Sequence, residues 1–218
     1  APQLTHLVAA GFGPEDFEVI IVDNCSTDTH PEKPGVKGTS SHLMPRGAYF
    51  NKILRVLYDP IAGNHSARNK GAAIAYGKYL FFSDAHMAYK PGYFKRMIRA
   101  VDESGGMAHG GLQYMGAFPA RDDSMGFKYT MKWGEEWKGT WSNRKVADTT
   151  FAIPAQGHWG LAVDRKQFLS FGGYPDVHRT YGGGETFVDM LWWMMGSCVV
   201  VEPNAIGFHR ASERNYSY

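Results

Sequence analysis

Gly77-Lys78-Tyr79-Leu80-Phe81-Phe82-Ser83-Asp84-Ala85-His86 is the stretch on which the reading of this chain turns. Lys78 to Phe82 is aromatic and apolar without alternation, which marks a strand buried on both faces, the pattern of a parallel sheet. The strand ends abruptly in an acidic turn. Asp84 and His86 are two residues apart, so an extended chain points both to one side.

Working outward, the same strand-then-acid pattern occurs upstream. Phe17 to Val22 is a short run rich in β-branched residues, closed by Asp23-Asn24, and Leu54 to Tyr58 is a further strand candidate. Between them, residues 31–47 are rich in Gly, Pro and Ser and read as loop for much of their length. Residues 66–76 are Ala-rich and helical, with Ser66 as an N-cap candidate and Gly77 as the stop. Downstream, Pro91 opens a helix over Tyr93 to Ser104, with Phe94, Met97, Ile98 and Val101 at helical spacing. Strand, loop, helix, strand, acidic turn, helix is the order of an open α/β sheet.

The second half is richer in Gly, Trp and Tyr. Trp133, Trp137 and Trp141 recur every four residues and read as a core or subdomain contact, with a sugar platform as the alternative. Gly184 to Met195 reads as an apolar helix, followed by a strand from Ser197 to Val201. Trp192 and Trp193 are neighbours, so only one can face the core of that helix. Residues 2–10 form an amphipathic helix candidate, with Leu4, Leu7 and Val8 on one side. Gly182 to Gly184 reads as a flexible turn needing positive φ, with a mobile hinge over a ligand as the alternative.

Composition narrows the function. With 218 residues and 44% hydrophobic content, the sequence supports one domain with a real core, spanning 1–218. It divides into a 1–104 half built around the acidic strand ends and a 105–218 half. A formal net charge of +2 gives no basic stripe for nucleic acid or an anionic membrane. Met190 to Val201, the longest apolar stretch, is interrupted by Gly196 and Ser197 and is too short to cross a bilayer. Cys25 and Cys198 show no metal spacing and read as buried thiols of a reducing, cytoplasmic compartment, with a disulfide as the alternative.

In an open α/β sheet, ligands sit beyond the carboxyl ends of the strands. There Asp84 and His86 offer a carboxylate and an imidazole, a donor pair suited to Mn²⁺ or another divalent ion. The alternative is a helix N-cap by Asp84 with a solvated His86. Asp23, with Ser26 and Asp28 shaping its turn, reads either as an Asx turn or as an acceptor for a base or ribose hydroxyl. Arg68 and Asn69 open the helix before the Asp84 strand, and an Arg there is either a surface residue or a fork for phosphate oxygens. His158 is read as loop or cleft, and His65 as a phosphate contact.

Order and spacing of these segments add a resemblance. Glu18 to Asp28 (EVIIVDNCSTD) is similar to the nucleotide-binding strand and turn of family 2 glycosyltransferases. Gly63 to Gly71 (GNHSARNKG) resembles their ARN helix start, and Gly77 to Asp84 their G-x-Y-L-x-F-L-D strand. The D-x-H form of Asp84-Ala85-His86 resembles the polypeptide N-acetylgalactosaminyltransferases. So do Gly160 to Phe168, Gly172 to Asp176, Tyr181 to Thr186 and Gly207 to Arg210.

This resemblance implies the GT-A form of the α/β fold, a Rossmann-like open mixed sheet flanked by helices, with a smaller acceptor-side subdomain. It implies a glycosyltransferase that moves sugar from a nucleotide-sugar donor, a UDP-sugar, with Mn²⁺ or Mg²⁺. Carried over by position, Asp23 meets the base and Arg68 the nucleotide. Asp84, His86 and His209 hold the metal, Glu185 and Thr186 stand at the catalytic position, and Trp159 lines the sugar pocket. His209 directly precedes Arg210, two positions out of register with the family motif, and Thr186 replaces its Asn or Asp. The acceptor hydroxyl is open: a saccharide, a protein, a small metabolite or a modified base. The family's first strand, central in its sheet, matches nothing before Asp23. Its slot is expected to be filled from upstream of Ala1 or by another segment.

Three other readings stand beside this one. A nucleotidyltransferase calls for a Gly-rich basic loop near its start, which the sequence lacks. A catalytically inactive nucleotide-sugar- or carbohydrate-binding domain would use the Trp-rich half. An inverting transferase would use Glu185 as base; the D-x-H turn and the Gly-Gly-Glu segment favour retention.

Overall fold

A computed structural model describes residues 12–13, 15–24, 29–30, 33–37, 54–59, 63–84, 86–115, 128–132, 138–142, 146–175 and 184–210. In chain order the elements are β1 (Val19–Asn24), β2 (Thr29–His30), β3 (Lys33–Lys37), β4 (Leu54–Asp59), α1 (Asn64–Ile74), β5 (Tyr79–Ser83) and β6 (Met87–Tyr89). They continue with α2 (Tyr93–Ser104), β7 (Met107–Met115), β8 (Lys128–Lys132), β9 (Lys138–Ser142), β10 (Phe151–Ala152) and β11 (Gly160–Asp164). The last three are α3 (Arg165–Ser170), α4 (Gly184–Met194) and β12 (Val199–Arg210).

A six-stranded mixed sheet holds the core, in the order β10-β12-β7-β11-β5, with β6 paired to β12. It draws strands from both sides of residue 104. Its apolar runs lack alternation because both faces are covered. Leu80, Phe82, Leu161, Val163, Val199 and Val201 face Ala72 of α1, Phe168 of α3 and Val188 and Trp192 of α4. Their neighbours Ala108, Ala162 and Val200 face Phe94, Met97 and Val101 of α2. The spacing read for α2 is thus the stripe that covers one face.

β1 pairs in parallel with β4, from Val19↔Leu54 to Asn24↔Asp59. Gly71 of α1 lies against Val22 and Ile20, so α1 bridges from this pair to the larger sheet. Among the described residues, no strand joins β1 to β5.

Several local expectations shift. α1 starts at Asn64 with Gly63 at its N-cap and no side-chain cap, so Ser66 lies inside the first turn. It closes at Ala75, before Gly77. Asp84 caps no helix, because the chain passes directly from β5 to β6. Trp141 lies on β9, opposite Tyr129 of β8. Trp133 and Trp137 themselves, the helix expected over residues 2–10, and Cys25 lie outside the described residues. Lys33–Lys37, within the expected loop, is strand.

Gly184 is the first residue of α4 rather than part of a turn. A Cβ there would collide with the His65 ring, so close approach explains the glycine. The tryptophans of α4 divide as expected. Trp192 is fully buried, while Trp193 is 41% exposed and donates from Nε1 to the carbonyls of Ile153 and Pro154. Among the described residues no helix is long and apolar enough to cross a membrane. Cys198 is a free, half-buried thiol.

β12 is longer than its sequence suggested, running to Arg210 and passing β7 in parallel. Glu202 pairs with Gly110 and Ile206 with Gly111, so Pro203 to Ala205 bulge out of the ladder. Three inserted residues reverse which face each parity occupies. Val199 and Val201 lie on the α1/α4 side, whereas Ala205 and Gly207 lie on the α2 side, Gly207 against Trp159 and Met87.

Candidate active site

Asp84, His86 and His209 converge at the ends of β5, β6 and β12, with ligand atoms all within 4.8 Å of one another. β12 delivers His209 by pairing it with Met87, next to His86. The two Nε2 atoms stand 2.9 Å apart, and Asp84 Oδ2 lies 3.5 Å from His209 Nε2 and 4.0 Å from His86 Nε2. The rings meet edge to face at 4.4 Å between centroids. His209 is buried, Asp84 intermediate and His86 exposed, so the group is open on one side. Two imidazole nitrogens and a carboxylate aimed at one point are a donor set for a divalent transition ion. His209 reaches the group from the part of β12 that follows the bulge at Pro203 to Ala205.

Arg68 is the hub beside this group. Its guanidinium donates to Glu185 Oε1 at 3.0 Å, to the His158 carbonyl at 2.8 Å, and to Asp84 Oδ1 and the Tyr174 hydroxyl at 3.5 Å. It also lies 5.2 Å over the Tyr174 ring. Burial works against its charge, but Tyr174, Glu185 and Asp84 more than offset it and raise its pKa. For Glu185, burial pushes the carboxyl up, yet His158 and Arg68 pull it below the usual carboxylate value. An Arg–carboxylate fork at this depth fixes both partners in place.

The other expected residues fall in different places. Glu185 and Thr186 open α4, half-buried. The Asn69 amide is engaged with the Tyr174 backbone, donating to its carbonyl at 2.8 Å and accepting from its N–H at 2.9 Å. It therefore holds the turn that carries Tyr174. The Trp159 ring is 5% exposed and sits in the core on the α2 side; its carbonyl touches the site, accepting from Asp84 N–H at 3.0 Å. Asp23 is the penultimate residue of β1, in register with Tyr58, and Ser26 and Asp28 lie outside the described residues. The His65 ring stacks on Tyr174, 5.1 Å between centroids, and is buried.

Sequence reading missed Tyr174, His109 and Asp189, and read His158 as loop or cleft without its burial. His158, His109, Asp189 and Tyr174 are all buried behind Arg68. His158 Nε2 lies 2.9 Å from Asp189 Oδ1, and its Nδ1 lies 2.5 Å from the Tyr174 hydroxyl. Burial raises the pKa of that hydroxyl, which stays protonated. The one sequence signal for Asp189 was an acid on the apolar face of a helix, four residues after Glu185.

The profile of the family described as "Glycosyl transferase family 2" matches residues 2–125. Polypeptide N-acetylgalactosaminyltransferase 3 of Drosophila melanogaster is 25% identical over 198 residues, covering 85% of this chain and 29% of that protein. A second Drosophila melanogaster protein, putative polypeptide N-acetylgalactosaminyltransferase 13, is 21% identical over 63% of this chain and 26% of its own length. The chain thus spans less than a third of the curated relatives it matches. Among solved structures, GalNAc-T7 with UDP, GalNAc and Mn²⁺ superposes with a TM-score of 0.71 at 16% identity, covering 92% of this chain and 39% of that one. S. aureus TarS with UDP-GlcNAc gives 0.63 at 15% identity, over 99% of this chain and 56% of that one. The mannosyltransferase PcManGT from Pyrobaculum calidifontis, with GDP-Man and Mn²⁺, gives 0.62 at 14%, over 98% and 53%. These likenesses are of fold.

Proposed function

Since the chain belongs to glycosyl transferase family 2 and has the GT-A fold, we propose that it transfers a sugar from a UDP-sugar to a hydroxyl acceptor with retention of configuration. The observation that carries this reading is the convergence of Asp84, His86 and His209 beside the Arg68–Glu185 pair. Asp84, His86 and His209 hold Mn²⁺ or Mg²⁺ in this proposal. A divalent ion bound there neutralises charge on the departing diphosphate.

The chain's own residues do the rest. Arg68, kept charged by its carboxylate neighbours, orients the phosphate-bearing side of the donor. Asp23 accepts from the base or ribose, at the strand end where such ligands bind. Glu185 and Thr186, at the start of α4, position the sugar and the acceptor hydroxyl. Buried Tyr174 and His158 exclude water behind them.

Retention fits the state of Glu185. A general base works best with a pKa near the working pH. Glu185 is displaced the other way, below the ordinary carboxylate value, and is pinned by Arg68. Thr186 cannot take a proton at neutral pH. The departing phosphate is then the group left to accept the proton of the incoming hydroxyl.

Titration calorimetry with UDP, with and without Mn²⁺, followed by a hydrolysis screen over nucleotide sugars, tests the proposal. Metal-dependent UDP binding that disappears in Asp84→Ala is expected. Equal binding without metal, or an unaffected variant, would refute the site assignment. Proton NMR of the first-formed product tests retention: a β-linked product from an α-linked donor would make Glu185 the base of an inverting enzyme.

A further inference from the structure

A second group of two histidines and one aspartate lies behind the first, and it is closed. His109 of β7, His158 before β11 and Asp189 of α4 have ligand atoms within 4.8 Å of one another, and all three side chains are fully buried. We propose that His109, His158 and Asp189 form a structural site for a zinc-like divalent ion, separate from the donor site.

Three observations converge on it. First, His109 is fully buried with neither ring nitrogen hydrogen-bonded; its Nε2 points at Asp189 Oδ1 from 3.4 Å without forming a hydrogen bond. A protein buries polar atoms with partners, so an imidazole whose Nε2 faces one carboxylate oxygen without a hydrogen bond signals a missing partner between them. Second, the spacing is that of ligands around a small ion. Donors bound at about 2.0–2.1 Å in a tetrahedron stand about 3.3 Å apart. The separations here are 2.9 Å for His158 Nε2 to Asp189 Oδ1 and 3.4 Å for His109 Nε2 to the same oxygen.

Third, the outer partners are those a metal site needs. His158 turns its other nitrogen to the Tyr174 hydroxyl, which can accept from Nδ1–H and so leave Nε2 as a lone-pair donor. Asp189 Oδ2 accepts from the Gln156 backbone N–H at 2.7 Å, leaving Oδ1 for the ion. Gln156 also carries a buried Oε1 with no partner, which, or a water, completes four-fold coordination. A closed, four-fold set suits a zinc-like ion, whereas Mg²⁺ and Ca²⁺ take six or more ligands and keep water among them. A closed set of this kind is structural, and its work is to lock Tyr174 and the His158 carbonyl that hold Arg68.

The test is metal content. The His86→Ala/His209→Ala double variant, which lacks the open group, is produced in zinc-supplemented medium and gel-filtered in metal-free buffer. Elemental analysis should then find about one equivalent of zinc, and cobalt-substituted protein should show visible bands of a four-coordinate ion. Adding His109→Gln should abolish both, with far-UV circular dichroism checking that the chain remains folded. If that triple variant does not fold, the double variant alone decides. A folded double variant without zinc, or a folded triple variant that keeps its equivalent, overturns the proposal. Neither result would touch the donor-site reading, which is measured by UDP binding to the wild type.

Discussion

The two His₂Asp groups have the same composition and opposite surroundings. Asp84, His86 and His209 stand at strand ends, one side open to solvent, whereas His109, His158 and Asp189 are sealed between the sheet and α4. Strand alternation puts His209 on the α2 face and His109 on the other. Arg68 stands between the two groups, reaching Asp84 with its side chain and the His158 carbonyl with the same nitrogen. The lesson is that donor chemistry alone does not assign a role. An open position allows exchange and ligand entry, while a closed one contributes to folding.

Four changes would break or sharpen that contrast. The largest effect is expected at the closed group. Asp189→Ala strips His158 and the Gln156 N–H of their shared acceptor and removes the carboxylate that His109 Nε2 faces at 3.4 Å; removing one partner of such a buried pair costs about 3–5 kcal/mol. Urea denaturation should show it, and a loss as small as that of a surface variant would erase the distinction. Gly184→Ala comes next. The new methyl meets the His65 ring, and overpacking of this kind costs about 1–3 kcal/mol. Its thermal midpoint should fall, with donor affinity falling alongside because Glu185 is the next residue.

Asp84→Ala marks the other pole. Its carboxylate is 27% exposed and lies 3.5 Å from Arg68, so stability should change by less than about 1 kcal/mol. Metal-dependent UDP binding should vanish all the same. A large stability loss with intact binding would exchange the roles of the two groups. The smallest effect is a pH dependence. Glu185 has a folded pKa below its ordinary 4.5. It therefore contributes stability that is present above pH 4.5 and is lost as pH falls through the folded value. The stability gap between wild type and Glu185→Gln should be constant near neutral pH and close only below 4.5. A gap that closes above 4.5 would mean the pKa is raised, and would revive Glu185 as a base.

Those expectations divide along what the sequence makes visible. Strands β1, β4 and β5, helices α2 and α4, and the Asp84–His86 turn were legible because each is a local pattern of period or punctuation. Arg68 and Glu185 followed from motif order. His209 was legible only through resemblance, and no local pattern announces the bulge that precedes it in β12. The closed group left almost no trace. His109 lies in a Gly-rich strand, His158 in a loop, and Asp189 on a helix; only the pairing of β7 with β11 and the packing of α4 bring them together. Asn69 and Trp159 differ from their sequence reading in another way: one spends its amide on a turn and the other its ring on the core.

The three-residue bulge of β12 makes the site sensitive to counting. A strand is a two-state ratchet, and an odd insertion leaves everything beyond it turned by one click. With Pro203, Asn204 and Ala205 in place, His209 comes up beside His86. Deleting any one of them would present Arg210 there unless the ladder slipped to compensate. Removing two would preserve the orientation while shortening the arch. Single-residue length changes in this segment are therefore expected to be far more damaging than paired ones, and substitutions that keep the length milder than either.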